Sequence, residues 1–369
     1  MPVTLRSYAK INLGLRIGPL KSDGYHALTT VYQTIGLGDE ITVSVQPASQ
    51  TAILIHCADA RVPRDQRNTC WRMAAAALSK LGIHAQVEIT IDKRLPVEGG
   101  LGAGSSNAAV TLLALESELA ARATPALPDA ERMRLAAAVG SDVPLFLLGG
   151  AVLGTGRGEL VSPLVDARGL DCVIALPKLA VSTPQAFRDW DALCARKELQ
   201  SGEETGQESG QENGQENDTE KGPKTLTPAD PAAKLKQLGR VVAEVWPQAG
   251  PSGVSSVGGG LAEDPLLALV QTGIENDFEQ VVFPQQPLLR DLKSALAGSD
   301  SSYNLSVSVT DQAIYAALSG SGAALFGLYH SPGAAQSAAE RVQAAGSIAL
   351  VTRTLGREQY WQGMKSELG

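Results

Sequence analysis

Pro96-Val97-Glu98-Gly99-Gly100-Leu101-Gly102-Ala103-Gly104-Ser105-Ser106-Asn107 follows an alternating run, Gln86 to Ile91, and opens an Ala/Leu-rich run, Ala108 to Ala121. The alternation predicts a strand and the Ala/Leu run a helix. A glycine-rich turn between the two predicts an anion site. Glycine accepts positive φ and lets the backbone approach a guest closely. The N–H groups at the helix start then point at that guest, with the positive end of the helix dipole behind them. A phosphate suits such a cradle, although glycine-rich loops also serve as plain tight turns. Two familiar phosphate motifs do not fit. One requires G-x-x-x-x-G-K-[ST], and no Lys follows Gly104. The other requires G-x-G-x-x-G directly after the strand, and Asn107 stands where the third glycine belongs.

The 369 residues suffice for two domains and a sizeable core. A hydrophobic content of 44% suits a globular protein, and no apolar run is long enough to span a bilayer. Met1 to Lys10 lacks the apolar centre of a signal peptide, so a cytoplasmic enzyme is expected. Cys57, Cys70, Cys172 and Cys194 lie far apart and the histidines are scattered, which predicts reduced, structural thiols and no zinc site. The net charge of −8 is uneven: Ser201 to Gly222 holds seven acidic residues and one Lys in repeats of Gly-Gln-Glu. Such a run cannot bury enough apolar surface to fold and is expected to be a solvated insert. The rest is close to neutral and has no basic stripe, which argues against nucleic acid as a partner.

Strands are expected over Val3 to Ile17, Leu28 to Val45 and Gln86 to Ile91. Asn68 can cap a helix that stops at Gly82, and a second helix is expected from Asp129 to Val139, between Pro128 and Gly140. The apolar Leu145 to Leu148 reads as a strand, and glycines from Gly149 to Gly158 suit turns between short strands. A domain boundary is expected between Pro163 and Gly169. Beyond it, Cys172 to Leu176 reads as a buried strand and a helix follows Pro184. Asp230 to Trp246, Pro265 to Gly273 and Pro284 to Ala297 read as helices. Ala316 to Tyr329 carries a second glycine cluster, Ser319-Gly320-Ser321-Gly322, and a helix from Ala334 to Ala345 and a strand from Ile348 to Thr352 close the chain. This alternation suits a layered sheet covered by helices on one side.

Few residues present themselves for chemistry. Asp142, in Gly140-Ser141-Asp142-Val143-Pro144, is either a turn residue or, beside a phosphate loop, an acceptor for a substrate hydroxyl proton. Lys10 alternates in phase with Tyr8 and Asn12, giving the first strand a polar face that suits either solvent or a cleft. Close to Asp142, its ammonium would hold the carboxylate ionised and steady a negative oxygen. Tyr25-His26, after the turn-like Ser22-Asp23-Gly24, is either an ordinary packed pair or a stack and hydrogen-bond partner for a nucleobase.

Together these segments resemble the GHMP kinases, the superfamily of galacto-, homoserine, mevalonate and phosphomevalonate kinases. Pro96 to Asn107 is similar to their ATP loop, Ser141 to Pro144 to their catalytic segment and Leu318 to Phe326 to their third motif. Tyr8-Ala9-Lys10-Ile11-Asn12-Leu13-Gly14-Leu15 and Asp23-Gly24-Tyr25-His26-Ala27-Leu28 resemble the branch acting on 4-diphosphocytidyl-2-C-methyl-D-erythritol.

The resemblance implies an α+β, two-domain fold. Residues 1–165 would form a domain like the second domain of ribosomal protein S5, and 170–369 a ferredoxin-like domain with an acidic insert at about 199–224. It implies ATP-dependent phosphorylation of the substrate's 2-hydroxyl in isoprenoid precursor synthesis, with Mg²⁺ on the nucleotide, in a monomer or weak homodimer that needs neither nucleic acid nor membrane. Asp142 would be the base and Lys10 its charge partner. Lys93, Pro96, Gly99, Gly100, Leu101, Gly102, Ala103, Gly104, Ser105, Ser106 and Asn107 would hold ATP, with Ser106 near the metal. Asn12, Tyr25, His26, Thr183 and Phe187 would hold the substrate, with the cytosine stacked on Tyr25, its edge read by His26, and Phe187 opposing.

Three features depart from the family pattern. Glu98 places a negative charge in the phosphate loop; Ser201 to Gly222 is extra; and Gly298 to Thr310 is longer than usual. Both insertions are expected on the surface. A kinase for another small alcohol, or a non-catalytic nucleotide-binding homologue, is the alternative.

Overall fold

The computed structural model describes residues 1–97, 99–207, 231–249, 264–299 and 308–365. The first half is one sheet with helices on it. Its spine is the hairpin of β1 (Val3–Leu20) and β2 (His26–Pro47), antiparallel from Val3↔Val43 to Leu20↔His26. β3 (Ala52–Cys57) runs parallel to β4 (Ala85–Asp92), joined through α1 (Thr69–Leu81). After β4 come α2 (Ala103–Ala120), α3 (Asp129–Val139), β5 (Ala151–Thr155) and β6 (Leu160–Pro163). The sheet order is β3-β4-β2-β5-β6, with β1 also on β2.

Several local rules act as expected. The Asn68 side chain accepts from the Cys70 N–H at 2.9 Å, and Gly82 ends α1 at φ 66°, which glycine adopts without a Cβ clash. The apolar faces of α1 and α2 then close on Val43, Val87 and Ile89 to form the first core.

The second half runs β7 (Asp171–Leu176), α4 (Thr183–Gln207), α5 (Pro231–Val245), α6 (Pro265–Gln271), α7 (Glu279–Gln285), α8 (Pro287–Ala297), β8 (Tyr315–Leu318), β9 (Leu325–Tyr329), α9 (Pro332–Ala344), β10 (Ile348–Arg353) and α10 (Arg357–Lys365). Its four strands are antiparallel in the order β10-β7-β9-β8. With the helices between them this is the βαββαβ, ferredoxin-like pattern. A middle core joins the two sheets: Ile11, Leu13 and Val31 meet Ile174, Phe326 and Leu328. Leu101 of the glycine loop is buried in that core, which fixes the loop between the sheets.

Four local expectations change. Leu145 to Leu148 is not a strand, because a 3₁₀ turn spans Pro144–Leu147; Pro144 at its start fixes φ and removes a ladder donor. α2 begins at Ala103, ahead of the Ala/Leu-rich run: Gly102 takes φ 71° and lets the chain enter the helix at once. Pro284 falls inside α7, and α8 starts at Pro287, the better-placed proline of the two. α4 runs to Gln207, into the segment expected to be a solvated insert; the remainder of that insert, 208–222, lies outside the described residues. β3, α7 and α10 were not expected. Tyr360 of α10 packs on Tyr8 with ring centroids 5.6 Å apart, so Tyr8 lies in the first core rather than on a polar face with Lys10. Gly298 ends α8 at φ 74°, and 300–307 lie outside the described residues.

Candidate active site

Two cavities meet at the glycine loop. The first, about 360 Å³, is lined by Lys93, Pro96 and Gly99 to Ser105, with Asn68 and Thr69 opposite. The helical ladder of α2 starts with the Ser106 N–H donating to the Gly102 carbonyl at 2.9 Å. The N–H groups of Ala103, Gly104 and Ser105 therefore lie ahead of the first helical bond, as anion cradles require. The loop is held from behind. The Lys10 N–H donates to Leu101 O at 3.0 Å and the Ala324 N–H to Gly99 O at 3.2 Å. A Cβ on Gly100 would lie 2.2 Å from the Ser319 carbonyl oxygen, so only glycine fits there.

Side chains expected in this cradle divide. Ser105 borders the cavity, half-buried. Ser106 is fully buried and does not border it: its Oγ lies 2.7 Å from Ser7 Oγ. The helix start at Ala103 turns Ser106 towards the sheet. Asn107 borders the cavity and bonds inward, its Oδ1 accepting from Ser7 Oγ at 2.6 Å and its Nδ2 donating to Asp39 at 3.0 Å. Lys93 borders the cavity, but its ammonium is paired with Asp39 at 2.8 Å. Glu98 lies outside the described residues.

Asp39 was missed. It is fully buried and accepts from Lys93 Nζ, Asn107 Nδ2 and the N–H groups of Arg94 (2.8 Å) and Leu95 (2.7 Å). It thus ties the end of β4 to the start of α2, across the loop. Its signal was present: Asp39 is in phase with Ile35, Leu37, Ile41 and Val43, an acid on an apolar face.

The second cavity, about 740 Å³, lies on the other side of Gly100 and Gly102, which border both. Lys10 and Asp142 meet here, with Lys10 Nζ 3.4 Å from Asp142 Oδ2. Lys10 is buried, and its ammonium also donates to Asn12 Oδ1 at 2.6 Å and to the Gly100 carbonyl at 2.8 Å. Asn12 donates in turn to Thr30 Oγ1 at 2.8 Å. Tyr32, also missed, donates its hydroxyl to Asp142 Oδ1 at 2.9 Å. Burial, with Asp142 beside it, pushes the Tyr32 phenol well above its ordinary range, so it stays a donor. Asp142 is about one-third exposed, which leaves room for a guest.

The outer end of this cavity holds the expected aromatics in an unexpected pairing. His26 is buried and stacks on Phe187, with centroids 5.1 Å apart and planes 7° apart. The exposed Tyr25 ring carries the Arg157 guanidinium at 4.7 Å from its centroid. Thr183 bonds Ser321 of the second glycine loop at 2.7 Å, closing the cavity rim. Asn276, a further missed residue, donates to the Leu318 and Gly320 carbonyls at 2.8 Å and pins that loop. Its signal was weak, since Asn in Glu275-Asn276-Asp277 reads as an ordinary turn.

A buried lysine, an aspartate about one-third exposed and a glycine cradle thus meet along Gly100 and Gly102. The family model "GHMP kinases N terminal domain" matches residues 68–150, which include the cradle and Asp142. The chain is 43% identical over 195 residues to the 4-diphosphocytidyl-2-C-methyl-D-erythritol kinase of Rhodococcus jostii, covering 53% of this chain and 61% of that protein. It is 37% identical to the Moorella thermoacetica protein of the same name, covering 55% of this chain and 68% of the relative. A crystal structure of 4-(cytidine 5'-diphospho)-2C-methyl-D-erythritol kinase superposes with TM-score 0.60 at 26% identity, covering 96% of this chain and 100% of that one. The chain belongs to this family of GHMP kinases, while its match to the first curated relatives spans about six tenths of their length.

Proposed function

We propose that this chain transfers the γ-phosphoryl group of ATP to the 2-hydroxyl of 4-diphosphocytidyl-2-C-methyl-D-erythritol. One observation carries this reading: Gly100 and Gly102 form a wall common to the glycine cradle and to the cavity of Asp142. A triphosphate in the first cavity thereby has its terminal group directed at an alcohol in the second. The cradle fits a phosphate, since Gly100 and Gly102 take positive φ and the described residues leave a cavity of about 360 Å³ beside it. Mg²⁺ would arrive with the nucleotide substrate and offset its phosphate charge.

Asp142 accepts the hydroxyl proton as the substrate oxygen bonds to phosphorus and the bond to the ADP oxygen breaks. Lys10 balances the negative charge on the oxygen, held in place by Asn12 and the Gly100 carbonyl. Tyr32 fixes one carboxylate oxygen and leaves Oδ2 beside Lys10. Tyr25, His26 and Phe187 form the seat of the cytosine, in a cavity sized for a nucleotide-like ligand. Both cavities are lined by one chain, so the reading needs no second subunit, and dependence on ATP suits a cytoplasmic enzyme. Among the described residues, no helix is long and apolar enough to cross a membrane.

The test is incubation with ATP, Mg²⁺ and the cytidylyl substrate, with products resolved by ³¹P NMR and mass spectrometry. ADP and the 2-phosphate are expected in equal amounts. Turnover of homoserine or a phosphomevalonate-like acid, without turnover of the cytidylyl alcohol, would replace the substrate assignment. Nucleotide binding without turnover of any alcohol would remove the catalytic one.

A further inference from the structure

α10 follows β10 of the second sheet, yet its buried residues, Tyr360 and Met364, lie in the first core. Tyr360 is fully buried, and its hydroxyl donates to the Phe146 carbonyl at 2.7 Å. Its neighbour Trp361, half-buried, donates through Nε1 to the Leu148 carbonyl at 3.0 Å. Both acceptors belong to the short 3₁₀ turn, or its end, directly after Asp142. The backbone does not use them: the Phe146 N–H donates to Val143 O, and the Leu148 and Gly149 N–H groups both donate to Leu145 O. Burial pushes the Tyr360 phenol above its ordinary range, so it stays a donor. The chain leaves a slot for its ring, since a Cβ on Gly149 would fall 2.2 Å from Tyr360 Cδ1.

Tyr360 borders neither cavity but touches the elements that carry the site. Its ring centroid lies 5.6 Å from that of Tyr8, two residues before Lys10 on β1. Phe146, whose carbonyl it holds, reaches the wall between the cavities. A Cβ on Gly102 would lie 3.0 Å from both the Phe146 ring and the Lys10 stem. We propose that Tyr360, together with Trp361, is a positioning residue for phosphoryl transfer: α10 holds the turn after Asp142 so that the carboxylate stays opposite Lys10. This rests on the role proposed for Asp142 and deepens it. A single 3₁₀ turn has poor hydrogen-bond geometry of its own, so outside donors decide where it sits. A buried carbonyl that loses its donor is costly to leave unpaired, and the turn shifts to find another. A displacement of about 1 Å at a reacting group can cost 10²-fold in rate.

Tyr360→Phe keeps the ring in its slot and removes only the donor. Trp361→Phe does the same at Leu148. Both are assayed in the full chain with ATP and the cytidylyl substrate, at a temperature where thermal denaturation shows them folded. Each should lower kcat about fivefold or more, with KM for the alcohol and affinity for ADP within about twofold of wild type. Met364→Ala is the structural control. It opens a cavity in the same core and lowers the melting temperature, yet should leave kcat within about twofold. Unchanged kcat in the two phenylalanine variants would overturn the proposal. So would a loss in Met364→Ala as large as theirs, or a KM that rises with kcat intact. Should Tyr360→Phe fail to fold, Trp361→Phe decides alone. A wild type that does not phosphorylate the cytidylyl alcohol would instead strike the proposed function, and the variant ratios are then taken with the alcohol it does turn over.

Discussion

The two cavities on either side of Gly100 are built from different materials. The cradle is backbone: N–H groups of the helix start, glycines at positive φ, and carbonyls anchored from behind. The second cavity is side chain: Lys10, Asn12 and Tyr32 from the central hairpin, Asp142 from before the 3₁₀ turn, and Phe187 and Asp191 from α4. Backbone makes a surface for any phosphate. Side chains from distant parts of the chain make a place for one particular alcohol. Substitutions should therefore separate into those that damage the wall and those that damage the guest's fit.

The largest effect belongs to the side chain at the junction. Asp142→Asn should lower kcat roughly 10²–10⁴-fold, the usual contribution of general base catalysis. Nucleotide affinity, measured by titration, should stay within about threefold of wild type. A matching loss of ATP binding would show that the two cavities are not separable in this way.

Next comes the anchor of the cradle. Asp39→Ala leaves the Lys93 ammonium without its carboxylate and frees two buried backbone N–H groups. Breaking a buried pair from one side costs about 3–5 kcal/mol, a large share of the stability of a typical domain. Urea denaturation should show that loss. Asp39→Asn combined with Lys93→Met should lose less, because no orphaned charge remains.

Gly100→Ala follows. A non-glycine residue at φ 75° costs about 1–3 kcal/mol in backbone strain, and the new Cβ meets the Ser319 carbonyl. Gly104→Ala is the control. It sits in the first turn of α2, and its Cβ would meet only Thr69 Oγ1, at 3.6 Å. Denaturation midpoints should separate the two variants clearly. Equal midpoints would mean the second glycine loop yields to Gly100 and does not support it.

The same contrast explains what the sequence could reveal. The cradle was legible because its requirement is local: glycines stand where φ must be positive, directly before a helix. Asn68, Gly82 and Pro128 marked helix ends for the same reason. Facing was harder to read. α2 is buried on most sides, so its apolar pattern could not show that Ser106 turns away from the cavity while Ser105 and Asn107 border it. The pairs that build the second cavity are distant in the chain. Tyr32 meets Asp142 across 110 residues, and His26 reaches Asp191 on α4 from the hairpin. No periodicity connects such positions, and each residue reads alone as an ordinary strand, turn or helix residue. Lys10 could be foreseen because family resemblance, added to its strand phase, pointed to a cleft. Tyr32 had the phase alone.

Tyr32 gives the smallest and most discriminating effect. Its hydroxyl holds Asp142 Oδ1 at 2.9 Å, and burial keeps the phenol protonated well above the ordinary tyrosine range. Ionisation of the phenol therefore does not break this bond near neutral pH. Tyr32→Phe keeps the ring that packs against Gly154 and lies 5.7 Å from Lys10 Nζ, and removes only the donor. One hydrogen bond to a charged group is worth about 1.5 kcal/mol at the lower end of its range, or roughly tenfold in rate. The carboxylate, freed on one side, should spend less time directed at the substrate hydroxyl. Steady-state kinetics should thus show kcat about tenfold lower, with KM for the alcohol and affinity for ATP unchanged. A rise in KM with kcat intact would mean that Tyr32 shapes the guest's seat and leaves the base alone, moving it from the reacting end of the cavity to the recognising end.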